Sequence, residues 1–111
     1  MQSHGLDALG DGRVDAVVIG PGLGRGEEGR VRLRQALDSG RALVIDGDAL
    51  ALLAGQDFPR WRGTPILTPH AGEFARLFGT LTGSKVDQAR AAAARSQAVI
   101  VFKGSDTVVA A

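Results

Sequence analysis

A chain of 111 residues is long enough for one domain or for part of one. Thirteen Lys and Arg residues against twelve Asp and Glu residues leave a formal net charge of +1. The absence of a basic block and the small number of aromatic residues argue against a nucleic-acid-binding protein. The absence of cysteine excludes disulfides and thiolate metal sites.

The amino-terminal segment does not have the pattern of a secretory signal. Residues 1–10 lack both a basic start and an apolar core. No apolar run approaches the length that a membrane-spanning helix requires. We therefore expect a cytoplasmic protein that does not enter the membrane.

Apolar runs and helical runs alternate along the chain. A weak first helix is predicted over residues 3–9, and further helices over 27–39, 49–53, 72–78 and 85–97. Ser84 followed by Asp87 is typical of a capped helix start. Buried strands are predicted at 16–19, 42–45, 65–67 and 98–102, with residues 107–110 pairing back as a hairpin strand.

The strands are apolar throughout, which predicts an α/β fold of three layers, α/β/α, with a mainly parallel sheet and helices on both faces. Right-handed crossovers place every strand-to-helix loop at the carboxyl edge of such a sheet. The loops that begin at Gly20, Asp46, Thr68 and Lys103 should therefore share one edge and form a ligand site. Because four parallel strands make only a small core, we expect residues 1–111 to be a single partial domain.

The first loop, residues 20–26, contains four glycines. Neither Gly20 nor Gly22 starts the glycine spacing of a dinucleotide-binding turn. Glu27 and Glu28 already complement the positive end of the following helix, so a phosphate there would meet like charge. The loop either contacts an uncharged part of a ligand or is a tight turn without a ligand.

Carboxylates and one imidazole follow the next two strands. Asp46 comes directly after a buried strand and needs a partner, for which water, a ligand hydroxyl and Mg²⁺ held through water are candidates. Asp48 is explained equally well as the cap of a helix starting at residue 49. His70 and Glu73 share a turn with Pro69; either they bind a ligand, or His70 is structural and Glu73 only complements a helix end.

The last loop combines an ammonium group, a glycine and two hydroxyls at Lys103, Gly104, Ser105, Asp106 and Thr107. Such a set suits a nucleotide phosphate or ribose. The alternative is a charged hairpin turn.

Four strings in this order resemble the ADP/ATP-dependent NAD(P)H-hydrate dehydratase family, whose domain has the ribokinase-like, carbohydrate-kinase-related fold. They are Asp15-Ala-Val-Val-Ile-Gly-Pro-Gly-Leu-Gly24, Val44-Ile-Asp-Gly-Asp-Ala-Leu50, Leu67-Thr-Pro-His-Ala-Gly-Glu-Phe74 and Val99-Ile-Val-Phe-Lys-Gly-Ser-Asp-Thr-Val108. The resemblance spans the chain from about Asp15 to its end. It implies that residues 1–111 are the central portion of a ribokinase-like domain.

The resemblance implies repair of hydrated NADH and NADPH at the expense of ATP or ADP, by phosphorylation of the hydrate's hydroxyl and elimination of phosphate. Small-molecule nucleotides and a homo-oligomeric assembly are the implied partners. The implied substrate-binding residues are Gly20, Gly22, Gly24, Asp46 and His70. The implied adenine-nucleotide-binding residues are Lys103, Gly104, Ser105, Asp106 and Thr107. Asp48 and Glu73 are the implied Mg²⁺ ligands, through water.

Two departures from the family pattern affect the expected activity. Asp46-Gly47-Asp48 stands where the family usually has Asp-Ala-Asp, which is a mild change. The family's Gly-Thr-Gly-Asp string, with its catalytic Asp and anion hole, does not occur in the 111 residues and would lie beyond Ala111. We therefore assign no catalytic residue and expect slow turnover or none. A small-molecule kinase of the same fold, acting on a sugar or vitamin alcohol, and a non-catalytic nucleotide-binding remnant are the alternatives.

Overall fold

The computed structural model describes residues 16–111. The helix predicted over residues 3–9 lies outside this range. Within the described range there are five strands: β1 (Ala16–Ile19), β2 (Ala42–Ile45), β3 (Ile66–Leu67), β4 (Val99–Phe102) and β5 (Val108–Ala110). Four helices connect them: α1 (Glu27–Asp38), α2 (Gly47–Leu53), α3 (Ala71–Phe78) and α4 (Lys85–Ser96).

The strands form one sheet in the order β1-β2-β3-β4-β5. The first four strands are parallel, and β5 pairs antiparallel with β4. The register places Ile19 beside Ile45, Ile45 beside Leu67, and Leu67 beside Ile100. The mainly parallel sheet and the closing hairpin strand are both confirmed.

The strand order explains where the helices lie. When parallel strands follow one another in sequence order, right-handed crossovers place every connecting helix on the same face of the sheet. Leu33, Leu50, Phe74 and Ala92, one from each helix, belong to a single core cluster. Within residues 16–111 there is therefore one helical layer, and the second layer of an α/β/α arrangement is not part of the described chain.

The two faces of the sheet differ in burial because alternate side chains of a strand point to opposite faces. Ile45, Leu67 and Ile100, on the face that the helices cover, are fully buried. On the other face, Val18 and Val109 are 51% and 66% exposed. None of the helices in the described chain is long and apolar enough to cross a membrane.

An aromatic stack joins α3 to the end of β4. The rings of Phe74 and Phe102 are parallel within 6° with centroids 4.0 Å apart, and Phe74 also contacts Phe78 at 4.8 Å. Stacked aromatic pairs stabilise a core beyond the burial of apolar area. Since Phe102 immediately precedes Lys103, this packing fixes the start of the last loop relative to α3.

Strand positions agree with the sequence prediction to within one residue, but one helix start does not. The structure begins α2 at Gly47, with the Asp46 side chain accepting from the Gly47 N–H. The prediction of a helix from residue 49 capped by Asp48 is therefore wrong. Asp46 has the extended backbone that a cap needs, and Gly47 adopts φ +51°, a conformation that glycine allows.

Candidate functional site

The three strand-to-helix loops and the turn between β4 and β5 meet at the carboxyl edge of the sheet, as predicted. The Asp46 N–H donates to the Ile19 carbonyl at 3.0 Å, which joins the first two loops. The Lys103 N–H donates to the Pro69 carbonyl at 2.9 Å, which joins the third loop to the fourth. The edge therefore brings together the glycine loop, the acidic turn, the Pro-His turn and the lysine loop.

An ion pair lies at the centre of this edge. The Lys103 Nζ is 3.3 Å from Asp46 Oδ1, although 57 residues separate the two in sequence. Their side chains are 40% and 29% exposed. Both charged groups therefore remain accessible to a ligand while they contact each other.

The environment of Asp46 favours the ionised carboxylate. Partial burial alone would raise the pKa of this carboxyl group. The hydrogen bonds from the Gly47 N–H, the Thr68 hydroxyl and the Lys103 ammonium, together with the positive charge of Lys103, outweigh burial and hold the pKa of Asp46 below its ordinary value. Asp46 thus presents a stable negative charge that holds the ammonium group in place.

Asp48 acts on the glycine loop. One carboxylate oxygen accepts from the Gly24 N–H at 2.8 Å, and the other lies 3.3 Å from Arg25 Nε. A charge-assisted bond to a backbone N–H fixes that part of the loop. Asp48 is therefore engaged with its own chain, and its contacts alone account for its position.

Two glycines are required by close backbone contacts around the glycine loop. A Cβ on Gly20, whose φ is +136°, would lie 1.6 Å from the Asp46 carbonyl oxygen. A Cβ on Gly29, in the first turns of α1, would lie 2.2 Å from the Gly24 carbonyl oxygen. The loop is packed between the acidic turn and α1. Close packing therefore explains the glycine at position 20 of the loop and the glycine at position 29 of the helix.

His70 and Glu73 form the start of α3. His70 Nδ1 accepts from the backbone N–H groups of Gly72 and Glu73 at 3.1 and 3.3 Å. The Glu73 carboxylate in turn accepts from the His70 N–H at 3.1 Å, which completes a capping box. Because Nδ1 accepts these bonds, the proton of the neutral ring is on Nε2. The imidazole therefore has a structural role and still exposes its outer edge.

Two hydrogen bonds between Gly104 and Thr107 close the lysine loop. The Gly104 N–H approaches Thr107 Oγ1 at 3.4 Å, and the Thr107 hydroxyl donates to the Gly104 carbonyl at 3.2 Å. Residues 104–107 are exposed. Their N–H groups and hydroxyls are donors of the kind that phosphate oxygens accept from.

A metal ion would find few direct ligands here. Within residues 16–111 no group of three or more His, Cys, Asp or Glu side chains is placed to hold one. Asp48 and Glu73 both already accept bonds from N–H donors. Mg²⁺ is commonly held by one or two carboxylates, water and substrate phosphates. The residues present fit that mode and do not fit a cage made of protein groups alone.

Sequence reasoning missed three contributors to the site. Thr68 lies in the motif that marks the third loop; its hydroxyl donates to the Ile45 carbonyl at 3.3 Å, and its side chain helps to lower the pKa of Asp46. Arg25 pairs with Asp48, and Lys85 reaches the lysine loop from α4. Position in the motif pointed to Thr68, but nothing in the sequence indicated the reach of the two long side chains.

The fold and the edge it organises define a ribokinase-like protein. A ribokinase-like superfamily protein from Enterococcus faecalis superposes with a TM-score of 0.72 and 26% identity, over 85% of this chain and 35% of that chain. The family profile described as NAD(P)H-hydrate dehydratase matches residues 2–111. The chain therefore belongs to the NAD(P)H-hydrate dehydratase family, as the sequence motifs indicated.

Similar proteins carry related names. The bifunctional NAD(P)H-hydrate repair enzyme Nnr of Gloeobacter violaceus is 50% identical over 101 residues, which is 88% of this chain and 20% of that protein. The Nnr enzyme of Mycobacterium tuberculosis is 45% identical over 102 residues, covering 89% and 22%. An ADP/ATP-dependent NAD(P)H-hydrate dehydratase from Bacillus subtilis, co-crystallised with ATP/Mg²⁺ and soaked with CoA, gives a TM-score of 0.72 and 37% identity over 86% of this chain and 36% of that chain. The chain spans about a fifth of the length of the two Nnr enzymes.

Proposed function

We propose that this chain contributes the substrate and nucleotide loops for ADP- or ATP-dependent dehydration of hydrated NADH or NADPH. The observation that carries the proposal is the contact between Lys103 and Asp46, 3.3 Å apart at the edge where all four loops meet. It gives this edge of the sheet a cationic end at the lysine loop. At the glycine loop, Glu27 and Glu28 leave an end that disfavours phosphate.

The division of roles follows from this charge pattern. The loop 103–107 supplies an ammonium, backbone N–H groups and hydroxyls for the phosphates of ADP or ATP. Gly20, Gly22 and Gly24 border the proposed hydrate site. The His70 side chain, which is 60% exposed and has Nε2 3.5 Å from Glu73 Oε2, is proposed to contact the same substrate. Asp46 connects the two halves, because it holds Lys103 and borders the glycine loop.

The proposed chemistry is a phosphoryl transfer followed by an elimination. The hydrate's hydroxyl oxygen attacks the terminal phosphorus, its proton passes to the catalytic Asp expected in another segment, and the nucleotide departs one phosphate shorter. The carbon–oxygen bond of the phosphate ester then breaks and releases inorganic phosphate, a neighbouring carbon gives up a proton to water, and the double bond of the dihydronicotinamide is restored. When bound, Mg²⁺ would neutralise negative charge on the phosphate oxygens; Asp48 and Glu73 could meet it only through water.

We infer that residues 1–111 form the central portion of a larger ribokinase-like domain. The match to only 36% of the Bacillus dehydratase chain supports this. The absence of a Gly-Thr-Gly-Asp string from the 111 residues leaves the expected catalytic Asp and anion hole to other segments. Homo-oligomerisation and a cytoplasmic location are part of the same proposal. Light scattering and cell fractionation test them.

The proposal predicts nucleotide binding without efficient turnover by the 111-residue chain. ADP binding is measured by calorimetry in the wild-type chain, in Lys103→Met and in Lys103→Arg. Arg60→Met removes an exposed cation from another part of the chain and is the control. Loss of the Lys103 charge should weaken ADP binding about tenfold or more, and Arg should restore part of it.

Turnover is followed by the return of dihydronicotinamide absorbance from hydrated NADH and ADP. A rate close to the background is expected. Rapid turnover would contradict the assignment of the catalytic Asp to another segment. Equal ADP binding by the wild-type chain and Lys103→Met would contradict the nucleotide role of the lysine loop. A thermal shift with vitamin alcohols but not with hydrated NADH would favour a small-molecule kinase instead.

A further inference from the structure

Lys85, the first residue of α4, reaches across to the turn between β4 and β5. Its ammonium group donates a hydrogen bond to the Asp106 carbonyl oxygen. The same nitrogen lies 4.7 Å from the centre of the Phe102 ring, within range of a cation–π interaction. One side chain therefore contacts both the end of β4 and the turn that follows it.

Gly104 leaves the space that this ammonium group occupies. A Cβ added at Gly104 would lie 2.5 Å from Lys85 Nζ and 3.8 Å from Lys85 Cε. A side chain at position 104 would thus force the Lys85 ammonium group to shift from its present position. Glycine at position 104 leaves space, and the long side chain of Lys85 fills it.

The helix itself does not explain a lysine at this position. Cations are unfavourable at the positive end of a helix, and α4 already has Ser84 and Asp87 as a complete capping box. The contacts with Phe102, Gly104 and Asp106 are what favour Lys85. Lys85 also supplies the turn with a hydrogen bond, to the Asp106 carbonyl. The contacts between Gly104 and Thr107 within the turn are longer, at 3.4 and 3.2 Å.

We propose that Lys85 is a positioning residue for the turn 103–107. It holds the Asp106 carbonyl oxygen on the α4 side of the turn and thereby fixes the backbone around Gly104. It acts through the turn and not on the ligand, because its ammonium is already directed at Asp106 and Phe102. The identity of the ligand, the phosphates of an adenine nucleotide, rests on the function proposed above.

The test separates the turn from the nucleotide. Lys85→Met keeps most of the apolar stem and removes the ammonium group, and Lys85→Arg restores a cation that donates hydrogen bonds. Arg90→Met removes a charge from an exposed position of the same helix and is the matched control. Amide hydrogen exchange of residues 104–107 is measured by NMR without ligand, and ADP affinity is measured by calorimetry.

Lys85→Met should accelerate exchange of the turn amides and weaken ADP binding by about two- to tenfold, the range for one hydrogen bond. Lys85→Arg should recover part of both effects, and Arg90→Met should change neither. Gly104→Ala should accelerate turn exchange in the wild-type background and have a smaller effect in Lys85→Met, because the displaced group is then absent.

Unchanged turn exchange in Lys85→Met overturns the proposal, whatever happens to ADP affinity. Faster exchange with unchanged ADP affinity overturns the link between the turn and the nucleotide. Should the chain show no ADP binding at all, the proposed function fails, and faster turn exchange with recovery in Lys85→Arg still establishes the positioning role.

Discussion

At the scale of single residues, the Asp46 side chain has two direct partners. It caps α2 through the Gly47 N–H and pairs with Lys103, while the nearby Thr68 side chain helps to lower its pKa. Each of these contacts favours the ionised carboxylate. The stability that Asp46 contributes must therefore depend on pH in a defined direction.

We expect this contribution to vanish in acid. The folded-state pKa of Asp46 is lowered from its ordinary value of 3.8. Its contribution is therefore complete above that unfolded-state value and is lost as the pH falls through the lower folded-state value. Asp46→Asn keeps a side-chain oxygen for the cap and removes the charge. The difference in the free energy of unfolding between the wild-type chain and Asp46→Asn should be constant near neutral pH and shrink below about pH 4.

Urea denaturation at a series of pH values measures that difference. Asp57→Asn, which removes a carboxylate at an exposed position, is the control. A difference that stays constant or grows in acid would show that the charge of Asp46 is not stabilised in the folded chain.

At the scale of elements, the site depends on how closely two loops pack. The glycine loop after β1 lies against the acidic turn after β2, and Gly20 is the point of closest approach. Asp48 adds a hydrogen bond from the same turn to Gly24. The position of the glycine loop is therefore determined by the turn beside it as well as by its own sequence.

Gly20→Ala should destabilise the chain by about 3 kcal/mol or more. The new Cβ would overlap the Asp46 carbonyl oxygen, and φ +136° is strained for alanine. Gly22→Ala is the matched control: its φ is +73°, but a Cβ there meets nothing within 4 Å. Gly22→Ala should lower the free energy of unfolding by about 1–2 kcal/mol. Chemical denaturation measures both, and equal losses would mean that the two loops do not pack as described.

At the scale of the whole molecule, the sequence predicted the strands of the sheet. It did not predict which face of the sheet the helices of residues 16–111 cover. Continuous apolar runs mark buried strands, so all four parallel strands were found to within a residue. Apolar runs do not specify the order of the strands within the sheet. It is this order that places the described helices on one face and leaves Val18 and Val109 exposed on the other.

The site could be predicted in outline because parallel crossovers bring strand ends together whatever their sequence. Its details depend on side-chain geometry. The assignment of the cap to Asp46 depends on a backbone conformation at Gly47, and the structural role of His70 depends on the direction of one ring nitrogen. Neither feature has a signature in spacing or composition.

The most direct test of the central claim is an NMR titration of the wild-type chain with ADP. If the loops at the carboxyl edge form one ligand site, the largest amide shift changes should fall on residues 103–107 and extend to Asp46 across the ion pair. Residues 63–65 and 97–98, at the other edge of the sheet, should be unaffected. Shift changes centred on that other edge, or none at saturating ADP, would contradict the account.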